Sequence, residues 1–184
     1  MKNRIIFVLF FVALSAYIFV PNVFAENSSR SSAVLADSRT SALSDIRVKI
    51  LKEFLESYNS PLAPFAEDFV ETADTYNLDW RLVAAISGVE STFGHQIPAS
   101  SYNGWGWGIY GNNVIYFSSW KDGIQTISKG LRERYMNQRG ATNVYEIGRT
   151  YATSPAWASH VEYYMNRISD FTLLNPQNSL SISL

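Results

Sequence analysis

Trp80-Arg81-Leu82-Val83-Ala84-Ala85-Ile86-Ser87-Gly88-Val89-Glu90-Ser91-Thr92-Phe93-Gly94 carries apolar residues at 82, 83, 86, 89 and 93. At about 100° per residue these positions fall on one arc of a helix. Glu90 lies inside that arc, beside Val83 and Ile86. A carboxyl group among apolar side chains resists ionising, so its pKa rises and it can hold a proton for donation near neutral pH. The plainer reading sets Glu90 at a fraying helix end, with its carboxylate reaching water. Gly94 is the expected stop of this helix.

Helical periodicity surrounds the segment. Upstream, Ile46, Ile50, Phe54 and Tyr58 recur every fourth residue, flanked by Leu51 and Leu55. Ser60-Pro61 supplies an N-cap and first-turn pair for a helix with Phe65, Phe69, Ala73 and Tyr76 inward. Asn77-Leu78-Asp79 then turns the chain, and Asp79 caps the helix of Glu90. Further on, Ser119 with Asp122 resembles a capping box. It opens a long helix marked by Trp120, Ile124, Ile127, Leu131 and Tyr135 that ends near Gly140. A shorter helix covers about 143–152. Ser154-Pro155 starts the last one, with Trp157, Val161, Met165, Ile168 and Phe171 inward. Between these, residues 95–118 are rich in Gly, Asn, Ser and aromatic residues without helical period, and 114–117 read as a short strand. The expectation is a mostly α fold with one small irregular or β aromatic insertion directly after the helix of Glu90.

Composition bounds the rest. With 184 residues, 47% hydrophobic and 15% aromatic, the chain can bury a true core in one domain plus appendages. The net charge is −1. Without residues 1–25, which hold Lys2 and Arg4 and no acid, 13 basic side chains face 16 acidic ones, a net −3. Such a balance offers nucleic acid no footprint. Lys2 and Arg4 precede an apolar run over 5–20, then Pro21 and a small Ala25, the pattern of an export signal over 1–25. A run of about 16 residues is short for a membrane span, and an uncleaved anchor is the alternative, the one membrane contact expected. Either way the domain is expected outside the cytoplasm, secreted or in the periplasm or cell wall. Residues 26–44 hold seven serines and read as a flexible linker. The domain is expected over 45–172 and a disordered tail over 173–184. There is no cysteine, so an exported fold here is stabilised without disulfides. With His95 and His160 the only histidines, neither a metal nor a cofactor is expected.

The insertion reads Ser101-Tyr102-Asn103-Gly104-Trp105-Gly106-Trp107-Gly108-Ile109-Tyr110-Gly111. Gly106, Gly108 and Gly111 formally match a dinucleotide fingerprint, but no buried strand precedes them, no helix follows, and bulky aromatics fill the gaps. The better reading is a loop whose Trp105, Trp107 and Tyr110 present flat faces. Sugars stack their C–H faces on such rings, while an amide such as Asn103 takes hydrogen bonds. The bland alternative places one or both tryptophans in the core beneath the loop.

A proton-holding acid followed by an aromatic loop suggests polysaccharide cleavage. Val89-Glu90-Ser91-Thr92-Phe93-Gly94 resembles the Glu-Ser-x-x-Gly segment of lysozyme-like glycosidases of bacterial cell wall, both soluble lytic transglycosylases and bacterial N-acetylglucosaminidases. Three further stretches resemble the glucosaminidase branch: Asn103-Gly104-Trp105-Gly106-Trp107-Gly108-Ile109, Phe117-Ser118-Ser119-Trp120-Lys121-Asp122-Gly123-Ile124, and Tyr151-Ala152-Thr153-Ser154-Pro155-Ala156-Trp157-Ala158. The resemblance spans about 80–170. It implies a lysozyme-like domain with Glu90 as catalytic acid, and Tyr151 as an active-site tyrosine facing it. Ser91, Tyr102, Asn103, Trp105, Trp107 and Tyr110 would then line the cleft. Tyr151 also reads as a core residue beside Val144 and Ile147. The implied partner is peptidoglycan or a related amino-sugar polysaccharide, bound by a monomer. One departure stands out. Two-carboxylate glycosidases need a second acid, yet no Asp or Glu lies between Glu90 and Asp122. Asp122 reads as a helix cap, and Glu133 and Glu146 as exposed. Endo-N-acetylglucosaminidase hydrolysis is therefore weighed against a lytic transglycosylase that uses one acid. Outside catalysis, the alternatives are a non-catalytic wall-glycan-binding module and a surface assembly protein.

Overall fold

The computed structural model describes residues 46–108, 111 and 113–174, with side chains described as far as Phe171. The signal over 1–25, the linker over 26–44, Tyr110 and the tail from 175 onward lie outside the described residues. Among the described residues no helix is long and apolar enough to cross a membrane.

The fold is mostly helical. Residues 46–57 form α1, with Ile50, Leu51, Phe54 and Leu55 buried as their spacing requires. Ser60 then accepts a hydrogen bond from Leu62 N–H on its Oγ at 3.0 Å. A single 3-10 turn, Ala63–Phe65, leads into α2, Ala66–Thr75, with Phe69, Val70 and Ala73 buried. Asp79 receives Arg81 N–H at 3.0 Å and pairs with the same guanidinium, ordering the turn before α3, Leu82–Ser91. Ser119 opens α4, Trp120–Gly130, by accepting Asp122 N–H, and the helix continues as a π-helical run over Leu131–Asn137. Asn143 caps α5, Val144–Tyr151, and α6 runs Trp157–Leu174, taking up the first two residues of the expected tail.

α3 is the central helix. Seven consecutive residues, Leu82 to Gly88, are buried, as expected of a helix that is apolar or small on every side. It packs chiefly on α6, while α2 lies against α4, and α5 against α6. Small side chains allow the close approach. A Cβ on Gly88 would meet Phe93 Cζ at 2.6 Å and Tyr164 Cδ2 at 3.1 Å.

The helix stop differs from expectation. It comes at Thr92 (φ 52°, ψ 53°) rather than Gly94, and Phe93 is also left-handed (φ 57°). Such backbone costs non-glycine residues roughly 1–2 kcal/mol each. Two contacts offset it. Both amides donate to the Ser87 carbonyl, and the Phe93 ring is fully buried, edge-on to Phe54 and Tyr164.

The insertion is irregular, and residues 114–117 form no strand. That stretch is extended but held by other means. Phe117 N–H donates to Ser101 O at 2.9 Å, and the Asn103 side-chain amide donates to Ile115 O at 3.0 Å. Trp105 and Trp107 each seat on a glycine of α4, two turns apart. A Cβ would meet the Trp105 ring at 2.6 Å from Gly123 and the Trp107 ring at 2.5 Å from Gly130.

Replacing Gly88 by Ala forces a methyl against a ring that cannot retreat. Despite alanine's better helix propensity, Gly88→Ala is expected to destabilise the fold by about 1–3 kcal/mol, read as a lower urea midpoint at unchanged slope.

Candidate active site

Glu90 occupies the last turn of α3, half-buried. Its Oε1 accepts the indole N–H of Trp157 at 2.6 Å. Its Oε2 faces Gly106, where a Cβ would stand 3.0 Å from that oxygen. Burial pushes the Glu90 carboxyl above the ordinary range, and the Trp157 hydrogen bond, which favours the ionised form, partly opposes the rise.

The loop is brought over Glu90 by contacts that engage several expected cleft residues internally. Ser91 is buried; its hydroxyl donates to Gly104 O at 2.7 Å and accepts Gly94 N–H at 2.9 Å. Asn103 is buried as well. Its amide nitrogen donates to Trp107 O and Ile115 O, and its oxygen accepts Trp107 N–H. Trp105 is completely buried and donates its indole N–H to Val83 O on α3 at 2.9 Å. These three were expected to touch a sugar; the structure makes them the frame of the loop instead. Tyr102 is partly exposed, and its ring packs edge-on to Trp120 at the start of α4 rather than on the Glu90 group.

Tyr151 does join Glu90's surroundings, and Trp107 packs against Tyr151. Tyr151 ends α5, and its hydroxyl donates to Trp105 O at 2.8 Å. Its ring stacks on Trp157 with centroids 4.7 Å apart and planes 23° apart. Trp107 lies 6.0 Å from Tyr151 and 6.2 Å from Tyr135, giving a wall of Trp107, Tyr135, Tyr151 and Trp157. Arg134 sits over the Trp107 ring and Arg139 over Tyr135, a cation–π arrangement that brings positive charge to the wall. Burial, then the nearby Glu90 and Tyr135, raise the Tyr151 phenol well above its usual range. Tyr151 is therefore a neutral donor, not a base.

Trp157 and Gly106 are the site residues the sequence reading missed. Trp157 fits the inward stripe of α6, and periodicity sees only its apolar body. The signal available was chemical: a buried indole N–H needs an acceptor.

Asp122, the first acid after Glu90 in the chain, and Glu146 serve helix ends. Asp122 Oδ2 accepts Ser118 N–H and O–H, each at 2.9 Å, and Glu146 Oε2 accepts Thr142 N–H at 2.7 Å, so both carboxyls fall below the usual range. Among the described residues, no three acidic or histidine side chains cluster to hold a metal ion. A cavity of about 750 Å³ opens at the other end of α3, lined by Leu82, Arg132, Met136, Ile147 and Met165 among others, and Glu90 does not line it. Comparison of the chain with protein-family models and with curated proteins finds no match.

The folded protein holds the Glu90 proton more tightly than the unfolded chain does, where the carboxyl titrates near 4.5. Stability from neutral Glu90 is thus complete below that pH and declines as pH rises through the higher folded value. Glu90→Gln keeps an acceptor for Trp157 and removes the titration. Urea unfolding at pH 4 and pH 8 is expected to show the variant gaining stability relative to wild type as pH rises.

Proposed function

We propose that the protein is a glycosidase of the lysozyme-like kind that cuts β-1,4 bonds between amino sugars in peptidoglycan outside the cytoplasm. Glu90 acts as general acid. The observation that carries this reading is a carboxyl held toward its neutral form, with one oxygen engaged by Trp157 and the other facing a bare glycine. Trp107 and Tyr135, half-buried members of the aromatic wall, suit the apolar face of a sugar ring. Arg134 and Arg139 suit the carboxylates that peptidoglycan carries on its stem peptides.

In the proposed reaction, Glu90 protonates the bridging oxygen as the C–O bond breaks toward an oxocarbenium-like centre. The attacking group is the substrate's own N-acetyl oxygen or 6-hydroxyl. The engagement of Asp122 and Glu146 at helix caps favours this one-acid course over a second protein carboxylate. Attack by the 6-hydroxyl, its proton passing to the Glu90 carboxylate, would make the enzyme a lytic transglycosylase; N-acetyl participation followed by water that gives its proton to the same carboxylate would make it an endo-N-acetylglucosaminidase.

Incubation of purified protein with cell-wall sacculi, followed by fragment analysis, tests the reading. Soluble fragments are expected, with anhydro ends for a transglycosylase and reducing N-acetylglucosamine ends for a glucosaminidase. Glu90→Gln should lower release roughly 10²–10⁴-fold. Equal release by the variant, or binding of glycan without any cleavage by wild type, would sink catalysis, and the latter would leave a wall-binding module.

A further inference from the structure

We infer that Trp157 is the positioning residue for Glu90: by occupying Oε1 it places the transferable proton on Oε2, in the window left by Gly106. The consequence for catalysis rests on the glycosidase reading; the placement of the proton does not.

An indole N–H can only donate. Its partner at 2.6 Å must offer a lone pair, and the better acceptor of a neutral carboxyl is its carbonyl oxygen. Oε1 is therefore the carbonyl and Oε2 the hydroxyl. Oε2 looks onto Gly106, which is exposed and has φ 61°, a left-handed backbone conformation that disfavours side chains. Any side chain there would press on the acid, since even a Cβ lies 3.0 Å from Oε2.

Trp157 is itself held from several sides. It is 3% exposed, it stacks on Tyr151, and a Cβ on Gly148 would meet its ring at 3.0 Å. Tyr151 is tied in turn to the backbone of Trp105. The donor thus cannot swing away as the reaction proceeds. When the proton leaves Oε2 for the bridging oxygen, the bonding pair of the C–O bond moves to that oxygen and Glu90 becomes a carboxylate. The hydrogen bond to Oε1 then becomes charge-assisted, about twice as strong as a neutral one. An interaction that strengthens as the barrier is climbed accelerates the step.

The test uses the full chain labelled with 15N and 13C, with the Trp157 indole assigned through its bonded neighbours. In wild type the indole 1H and 15N shifts are expected to titrate with the same midpoint as the Glu90 carboxyl carbon. In Glu90→Gln they should stay flat. A flat indole in wild type, or a midpoint unrelated to Glu90, overturns the inference. A second arm follows sacculus cleavage against pH. Trp157→Phe removes a donor that favours the carboxylate, so the alkaline limb should move to higher pH while kcat falls roughly tenfold at little change in KM. An unmoved limb with activity lost only in proportion to folded protein would make Trp157 merely structural. If wild type cleaves no sacculi, the glycosidase reading fails, and the indole titration still decides whether Trp157 engages the Glu90 carboxyl.

Discussion

Burial of Trp105 is the constraint on which the rest of the site depends. The ring is wholly enclosed, seated on Gly123 of α4, and its indole N–H reaches the Val83 carbonyl inside α3. Removing a side chain of this size from a core typically costs about 3–5 kcal/mol, enough to anchor a loop whose described residues form no strand longer than a single bridge residue at Asn113. Once Trp105 is in place, the amide of Asn103 closes the loop on Trp107 and Ile115, and Ser91 ties Gly104 to the end of α3. Gly106 is then delivered onto Glu90. The Trp105 carbonyl also becomes the acceptor that fixes Tyr151, and through Tyr151 the plane of Trp157.

The electrostatics of Glu90 express two opposed forces. Enclosure among apolar and aromatic groups penalises the charged form, while the indole of Trp157 favours it. A fully buried acid with no donor would hold its proton too tightly to give it up near neutral pH; a fully solvated one would have lost it already. The geometry divides the labour between the two carboxyl oxygens, one engaged by the protein and one left open. The strained turn at Thr92 and Phe93 belongs to the same arrangement. It ends α3 one turn beyond the last fully packed stretch and carries Phe93 back beneath Gly88, so that Glu90 stays at the helix edge.

Glu90 and Tyr151 were legible as neighbours in the candidate site, and the gaps have physical causes. Glu90 stood out because a carboxylate interrupting an apolar arc is visible in a single helix. Trp105 and Trp107 look alike in the sequence, two aromatics spaced by glycines, yet one is core and the other half-buried in the wall. Their difference depends on which α4 glycine each meets, a contact between segments that no local pattern encodes. Asn103 has the chemistry of a sugar-binding amide, but the same donors and acceptor serve the backbone of its own loop equally well. Trp157 was read by its apolar body as core, correctly so, and its polar tip found Glu90 sixty-seven residues away.

The sequence by itself determined the helices, their inward faces and the starts of α4 and α5, while α2 begins at Ala66 rather than at Ser60-Pro61. Periodicity and capping are short-range: Ile50 and Phe54 share a face wherever they lie, and Ser119 reaches the amide three residues on whatever surrounds it. Tertiary structure decided the rest. Which loop aromatics are buried, where α3 stops, and which oxygen of Glu90 stays open follow from close approaches between segments distant along the chain. Those approaches turn on single glycines and one indole N–H, whose partners exist only once the helices have packed.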